Sequence, residues 1–197
     1  MFYIAAKALF SALFSTVFRW RVGGRENVPE RGPVLLCSNH ISWWDPPLVG
    51  CGSPRRVYFM AKEELFSVPF LGRAIRALGA FPVRRGMADR SAVRSALEHL
   101  RAGRVVGMFP EGTRSRKGTL GRAEPGAALL ALKSGATVVP VAIRGPYRVF
   151  RPVRITFGRP LALADLQCSR PRSGDLARAG ERIMEAIADL LDDGGGG

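Results

Sequence analysis

The chain has 197 residues, enough for one domain with a core of its own, and 47% apolar against 23% charged side chains excludes a disordered polymer. Thirty Lys and Arg against sixteen Asp and Glu leave a net charge of +14, which calls for an anionic partner: nucleic acid, a membrane surface or a phosphorylated substrate. Three Cys without CxxC spacing and only two His argue for core thiols in a reducing compartment and against a zinc cluster. The basic excess lies in the body, since residues 1–160 hold 26 basic and 9 acidic groups, and residues 161–197 hold 4 and 7.

Phe2 to Phe18 contains one charge, Lys7, and no basic leader or small-residue cleavage site, so it does not read as a secretory signal. Its length and the Arg19-Trp20-Arg21 cluster after it suit an interfacial membrane helix, with a buried core helix or a short span as alternatives. We take 1–20 as a membrane-associating segment, 21–193 as the main domain and Gly194–Gly197 as an unstructured tail.

Val34–Cys37 then reads as a buried strand between Gly32-Pro33 and Asn39. Val57–Met60 is a second strand, Phe70–Leu78 a helix, and Ala80–Val83 a third strand. Ser91–Arg101 is helical, with Val93, Ala96, Leu97 and Leu100 on one face and Gly103 after its end. Val105–Phe109 is a fourth strand, and Pro125–Lys133 a short helix opened by Pro and closed by Gly135. Thr137–Ile143 and Val153–Phe157 complete the strands, and Gly174–Leu191 is a last amphipathic helix. The alternation predicts a single α/β domain, its sheet mostly parallel or mixed and flanked by helices, with active groups in loops at the strand carboxyl ends.

Four segments carry polar chemistry in that frame. In Asn39-His40-Ile41-Ser42-Trp43-Trp44-Asp45, a His and a carboxylate can meet across one turn, so that the carboxylate fixes the imidazole tautomer. A capped loop His without catalytic work gives the same pattern. In Phe109-Pro110-Glu111-Gly112-Thr113-Arg114-Ser115, Pro and Gly bracket a turn expected to expose Glu111 and Arg114, a phosphate site or simply a solvated basic loop. Phe81-Pro82-Val83-Arg84-Arg85-Gly86 delivers two Arg into a turn, where a surface pair is the plainer reading. Val138–Ile143 is an apolar strand whose internal Pro140 implies an edge or a bulge.

In this order the four segments resemble the glycerolipid acyltransferase family, over roughly residues 20–160. Asn39, His40 and Asp45 match its NHxxxxD block; FPEGTRS is matched in full from Phe109 to Ser115. Arg85 best matches the arginine of the second block, although Arg84 stands where the family often has an acid, and Pro140 matches the fourth block.

The resemblance implies acyl transfer from acyl-CoA or acyl-carrier protein to a lysophospholipid hydroxyl, 1-acylglycerol 3-phosphate foremost. It implies His40 as general base oriented by Asp45, and Arg84, Arg85, Glu111, Gly112, Thr113 and Arg114 around the acceptor phosphate. No metal and no cofactor beyond the thioester is expected. The expected partners are the lipid acceptor, the thioester donor and an anionic membrane surface on the cytoplasmic side, and no nucleic acid. Another lysolipid, glycerol 3-phosphate or an amino-acid lipid is the alternative acceptor; a non-catalytic protein of anionic membranes is the alternative class.

Overall fold

The computed structural model describes residues 1–84, 89–115, 119–166 and 170–193. Its seven strands are β1 (Arg21–Gly23), β2 (Val34–Ser38), β3 (Val57–Lys62), β4 (Phe81–Val83), β5 (Val105–Met108), β6 (Thr137–Arg144) and β7 (Arg154–Phe157). They form one sheet in the order β1-β7-β6-β2-β5-β3-β4. Every pairing is parallel except β6 with β7, so the sheet is mixed. The helices are α1 (Phe2–Val17), α2 (Asp45–Gly52), α3 (Leu71–Leu78), α4 (Arg90–Arg101), α5 (Pro125–Ser134) and α6 (Ser173–Asp193).

The continuous apolar strands predict what is seen: all five residues of β2 are buried, because helices cover both faces of the sheet. Leu35, Cys37 and Val106 face α4, α5 and α6, whose Ala96, Leu100, Leu130, Ile183 and Ile187 complete that core. Leu36, Val139, Val141 and Ile155 face the other way, toward Phe14 and Phe18 at the end of α1 and Leu48 and Val49 of α2. The single-domain α/β architecture is therefore as expected from the sequence.

Two features were not legible in it. β1 is three residues long and α2 starts inside the first polar segment, both below the length at which periodicity speaks. Of the two places expected for Pro140, an edge or a bulge, the structure shows the bulge, on an interior strand. It is tolerated because the chain beyond β7 bulges beside it: Val141 faces Phe157 and Val138 faces Leu161, so three steps of β6 oppose four of its neighbour. Gly158 donates to the Pro140 carbonyl at 2.8 Å, and the missing Pro N–H faces the same bulge.

α1 is a helix, as expected. Its single charge, Lys7, turns inward and donates to the carbonyl of Ser53, the residue that ends α2, at 2.6 Å. Burial pushes the Lys7 ammonium below its ordinary range. No helix among the described residues is long and apolar enough to cross a membrane. Gly194–Gly197 and Cys168 lie outside the described residues; Cys37 and Cys51 are free, buried thiols.

Candidate active site

β5, β2 and β6 are neighbouring parallel strands; β5 and β2 end close together, with Cys37 beside both Met108 and Pro140, and β6 continues to Arg144. Their carboxyl ends deliver His40, the Phe109–Ser115 turn and Tyr147 into one place. Asn39 locks the first of these loops. Its side chain donates to the Ile143 carbonyl (2.9 Å) and accepts from the Ile143 N–H (2.7 Å), so it extends the β2–β6 ladder by one polar rung.

His40 Nδ1 lies 2.7 Å from Asp45 Oδ2, and the two residues are 5% and 0% exposed. The same oxygen accepts from the backbone N–H groups of Ile41 (2.6 Å) and Ser42 (2.7 Å). Asp45 Oδ1 accepts from the Tyr147 hydroxyl at 2.6 Å. With three donors already on it, the carboxylate acts only as an acceptor, so Nδ1 carries its hydrogen and Nε2 is left with a lone pair. Asp45 opens α2, where Pro46 and Pro47 supply helical φ without wasting donors and the helix dipole favours a carboxylate.

The imidazole ring is stacked on Phe109, with ring centres 4.0 Å apart. Phe109 in turn stacks on Phe59 at 6.0 Å. Phe59 occupies the space a side chain at position 107 would need; a Cβ on Gly107 would collide with its ring. The glycine in β5 is thus what admits the aromatic support beneath His40.

The Phe109–Ser115 turn closes on His40 from above. Glu111 Oε1 accepts from the His40 N–H at 3.0 Å, and Ser115 N–H donates to the His40 carbonyl at 2.8 Å. Glu111 Oε2 accepts from Gly121 N–H at 2.9 Å. The expectation that this turn exposes Glu111 is therefore corrected: the residue is 8% exposed and its carboxylate faces inward, where the buried His40 N–H and the part-buried Gly121 N–H need an acceptor. Gly112 takes φ +67°, a conformation that costs other residues about 1–2 kcal/mol. Thr113 and Arg114 line, with Ile41 and Ser115, a cleft of ≈ 280 Å³. The Arg114 guanidinium stacks 4.1 Å over the ring of exposed Trp43. Trp44 instead packs against Phe10, Phe14 and Phe18, which ties α2 to α1.

Arg84 is placed differently from a cleft residue. Its guanidinium pairs with Glu63, Nε to Oε2 at 2.7 Å and Nη2 to Oε1 at 3.3 Å. Arg85, Arg116 and Lys117 lie outside the described residues. Sequence reasoning missed Tyr147; the available signal was its place just beyond the carboxyl end of the sixth strand, after Gly145-Pro146. Among the described residues, no group of three or more His, Cys, Asp or Glu is placed to hold a metal ion.

A buried imidazole with an ordered tautomer and a cationic cleft at its side is suited to proton transfer. The family model described as Acyltransferase matches residues 19–144, which contain the His–Asp pair and the turn. The chain belongs to the acyltransferase family. It is an acyltransferase enzyme by that membership.

Among its relatives, the 1-acyl-sn-glycerol-3-phosphate acyltransferase of Bacillus subtilis is 30% identical over 176 residues, covering 86% of this chain and 87% of that protein. The lyso-ornithine lipid O-acyltransferase of Pseudomonas aeruginosa is 35% identical over 127 residues, 64% of this chain and 47% of that protein. The crystal structure of the 1-acyl-sn-glycerophosphate acyltransferase PlsC from Thermotoga maritima superposes with a TM-score of 0.72 at 26% identity. That match covers 100% of this chain and 79% of the other.

Proposed function

We propose that this acyltransferase moves a fatty acyl group from acyl-CoA or acyl-carrier protein to the free hydroxyl of 1-acylglycerol 3-phosphate, giving phosphatidic acid. One observation carries the chemical part: both backbone polar groups of His40 are held by the Phe109–Ser115 turn while its ring is held by Asp45. Two motifs far apart in sequence thus fix a single base. The relatives' names carry the acceptor: the Bacillus protein spans nearly the same length and is named for 1-acyl-sn-glycerol 3-phosphate.

In this reading His40 Nε2 takes the proton of the acceptor hydroxyl as its oxygen attacks the thioester carbonyl carbon. The tetrahedral intermediate collapses with loss of the C–S bond. The thiolate leaves with the proton returned from Nε2, and the new bond is the C–O of the ester. Asp45 accepts the Nδ1 hydrogen throughout and stabilises the imidazolium. No residue of the protein is acylated and no metal is used. Arg114 and Thr113 hold the acceptor phosphate in the adjacent cleft, Arg114 through its planar fork; the motif match adds Arg85. Glu111 and Gly112 shape the turn. A cleft of ≈ 280 Å³ suits a headgroup, not a whole acyl chain.

The reading also places the enzyme on the cytoplasmic face of an anionic membrane, as a peripheral protein held by residues 1–20. With Lys7 turned in, α1 presents Phe2, Ile4 and Leu9 outward, all more than half exposed. Val149 and Phe150, also exposed, lie at the carboxyl end of the same helix, where the Phe150 N–H donates to the Val17 carbonyl at 2.7 Å. Binding to vesicles with anionic lipid that weakens with salt supports this; equal binding to neutral vesicles contradicts the electrostatic part.

A lyso-ornithine lipid is the second acceptor to test, because the Pseudomonas relative of that name is 35% identical. Product analysis from a mixed lysolipid pool separates the two. Phosphatidic acid as the main product supports the proposal; its absence, with another lipid acylated, overturns the acceptor assignment.

A further inference from the structure

Tyr147 belongs to none of the four polar segments, yet it touches the buried pair. It follows the cis peptide Gly145–Pro146 beyond the carboxyl end of β6. Its hydroxyl donates to Asp45 Oδ1 at 2.6 Å, and Asp45 is fully buried. Burial, then the charge of Asp45 and the hydrogen bond to it, push the phenol above its ordinary range.

The Asp45 carboxylate receives four donors. Those on Oδ2 are local, from His40, Ile41 and Ser42, and rotate with the loop. The Tyr147 hydroxyl is the only donor recorded on Oδ1 among the described residues, and it comes from 102 positions away in the chain. It therefore ties the carboxylate to a segment outside the loop, so that its orientation does not depend on the local donors alone.

The ring of Tyr147 is itself held. It meets Phe18 edge-on at 5.6 Å between centres, at the carboxyl end of α1. The Val153 N–H donates to the Phe18 carbonyl at 3.0 Å and the Phe150 N–H to the Val17 carbonyl at 2.7 Å, so the loop carrying Tyr147 is tied to the end of α1. Phe18 is 7% exposed, which leaves its ring little room to move.

We infer that Tyr147 is a positioning residue of the acyltransfer site, orienting Asp45 on His40, and that Phe18 makes the end of α1 part of that support. The inference rests on the His40–Asp45 reading above. It extends the site beyond the four motif segments to a residue that acts through Asp45 and touches no substrate. Among the described residues, the other titratable groups beside the pair are Glu111, bonded to the His40 N–H, and Arg114 in the neighbouring cleft.

The test is Tyr147→Phe in the full chain, which deletes the hydroxyl and keeps the ring. Loss of the donor leaves more negative charge facing the imidazolium, so the acid limb of the pH–rate profile moves to higher pH. Looser orientation lowers kcat by about 5- to 50-fold, the range of a lost hydrogen bond near the reacting groups. The acceptor KM stays within about twofold, because no substrate contact is removed. Phe18→Leu, which keeps an apolar filler but loses the edge-on ring, falls between wild type and Tyr147→Phe.

A second readout does not depend on turnover. The hydrogen-bonded Nδ1–H of His40 gives a downfield proton resonance, assigned by its loss in Asp45→Asn, and Tyr147→Phe shifts it. An unmoved resonance with an unchanged kcat and pH profile overturns the inference. So does a rise in acceptor KM at constant kcat, which makes Tyr147 a substrate contact. A wild-type protein inactive on every lysolipid overturns the function reading instead, and the resonance then still decides the role of Tyr147.

Discussion

Glu111 bears a sharp prediction, because its motif position suggests a substrate contact and its geometry says otherwise. The carboxylate is 8% exposed and accepts from His40 N–H at 3.0 Å and Gly121 N–H at 2.9 Å. Each is a hydrogen bond to a charged group, worth about 1.5–3 kcal/mol, and the His40 donor left behind is buried. Glu111→Ala therefore costs about 3–5 kcal/mol of stability. For a domain of this size that lowers Tm by about 6–20 °C. Glu111→Gln keeps one acceptor oxygen but turns an amide N–H₂ toward the other donor, so it recovers no more than about half. Thermal unfolding of the two variants, with acceptor kinetics measured well below their Tm, gives the answer. The expected result is a fall in Tm and in kcat, since His40 loses its ceiling, with acceptor KM nearly unchanged. An unchanged Tm together with a large rise in acceptor KM would refute it and make Glu111 a ligand of the substrate.

Three further outcomes follow from local geometry. Arg114→Ala raises the acceptor KM by about tenfold or more with a smaller effect on kcat, and Arg114→Lys does not restore it, since the fork and the stack on Trp43 are both lost; steady-state kinetics at varied acceptor checks this. Gly107→Ala drives a Cβ into the Phe59 ring and destabilises by about 1–3 kcal/mol in denaturant unfolding, and adding Phe59→Leu recovers part of it; a neutral single variant contradicts the stacking account. Asp89 caps α4, and bonds from the Ser91 hydroxyl first, then from the backbone N–H groups of Arg84 and Ala92, hold its carboxyl at about 2, below the ordinary 3.8. Its folded-state value is depressed, so its stabilisation is present above pH ~4 and is lost as pH falls toward 2. Wild type thus exceeds Asp89→Ala in stability at pH 6, by about 1 kcal/mol for a cap, and the gap narrows below pH 4.

The long elements were legible because their apolar periods are unambiguous. β2, β5 and β6 read as buried runs, and α4 and α6 as one-sided helices, whose Ala96, Leu100, Ile183 and Ile187 sit in the core. His40 and Asp45 were legible as a pair, because four intervening residues suffice for the turn that joins them. Glu111 was not read correctly: a charged residue in a turn reads as exposed unless the backbone donors it satisfies are known, and one of them belongs to His40, 71 positions earlier. Arg84 was placed among the phosphate ligands by adjacency, and sequence gives no sign that Glu63 lies opposite it. Tyr147 escaped for the same reason, since its partner is 102 positions away. The +14 charge has narrowed in meaning: Arg55 bonds three backbone carbonyls, those of Pro29, Gly32 and Gly103, and Arg182 pairs with Asp165, while Arg114 lines the cleft. Arginine thus serves scaffold as well as ligand in this chain.

The most direct test of the account is acyl transfer by His40→Ala beside wild type, with acyl-CoA and 1-acylglycerol 3-phosphate, following both thiol release and phosphatidic acid. Wild type is expected to form the two products in equal amounts. The variant, folded and still binding acceptor, then loses at least about 10²-fold in kcat, the scale of a missing general base. Equal rates of thiol release and lipid formation by the two proteins would contradict it.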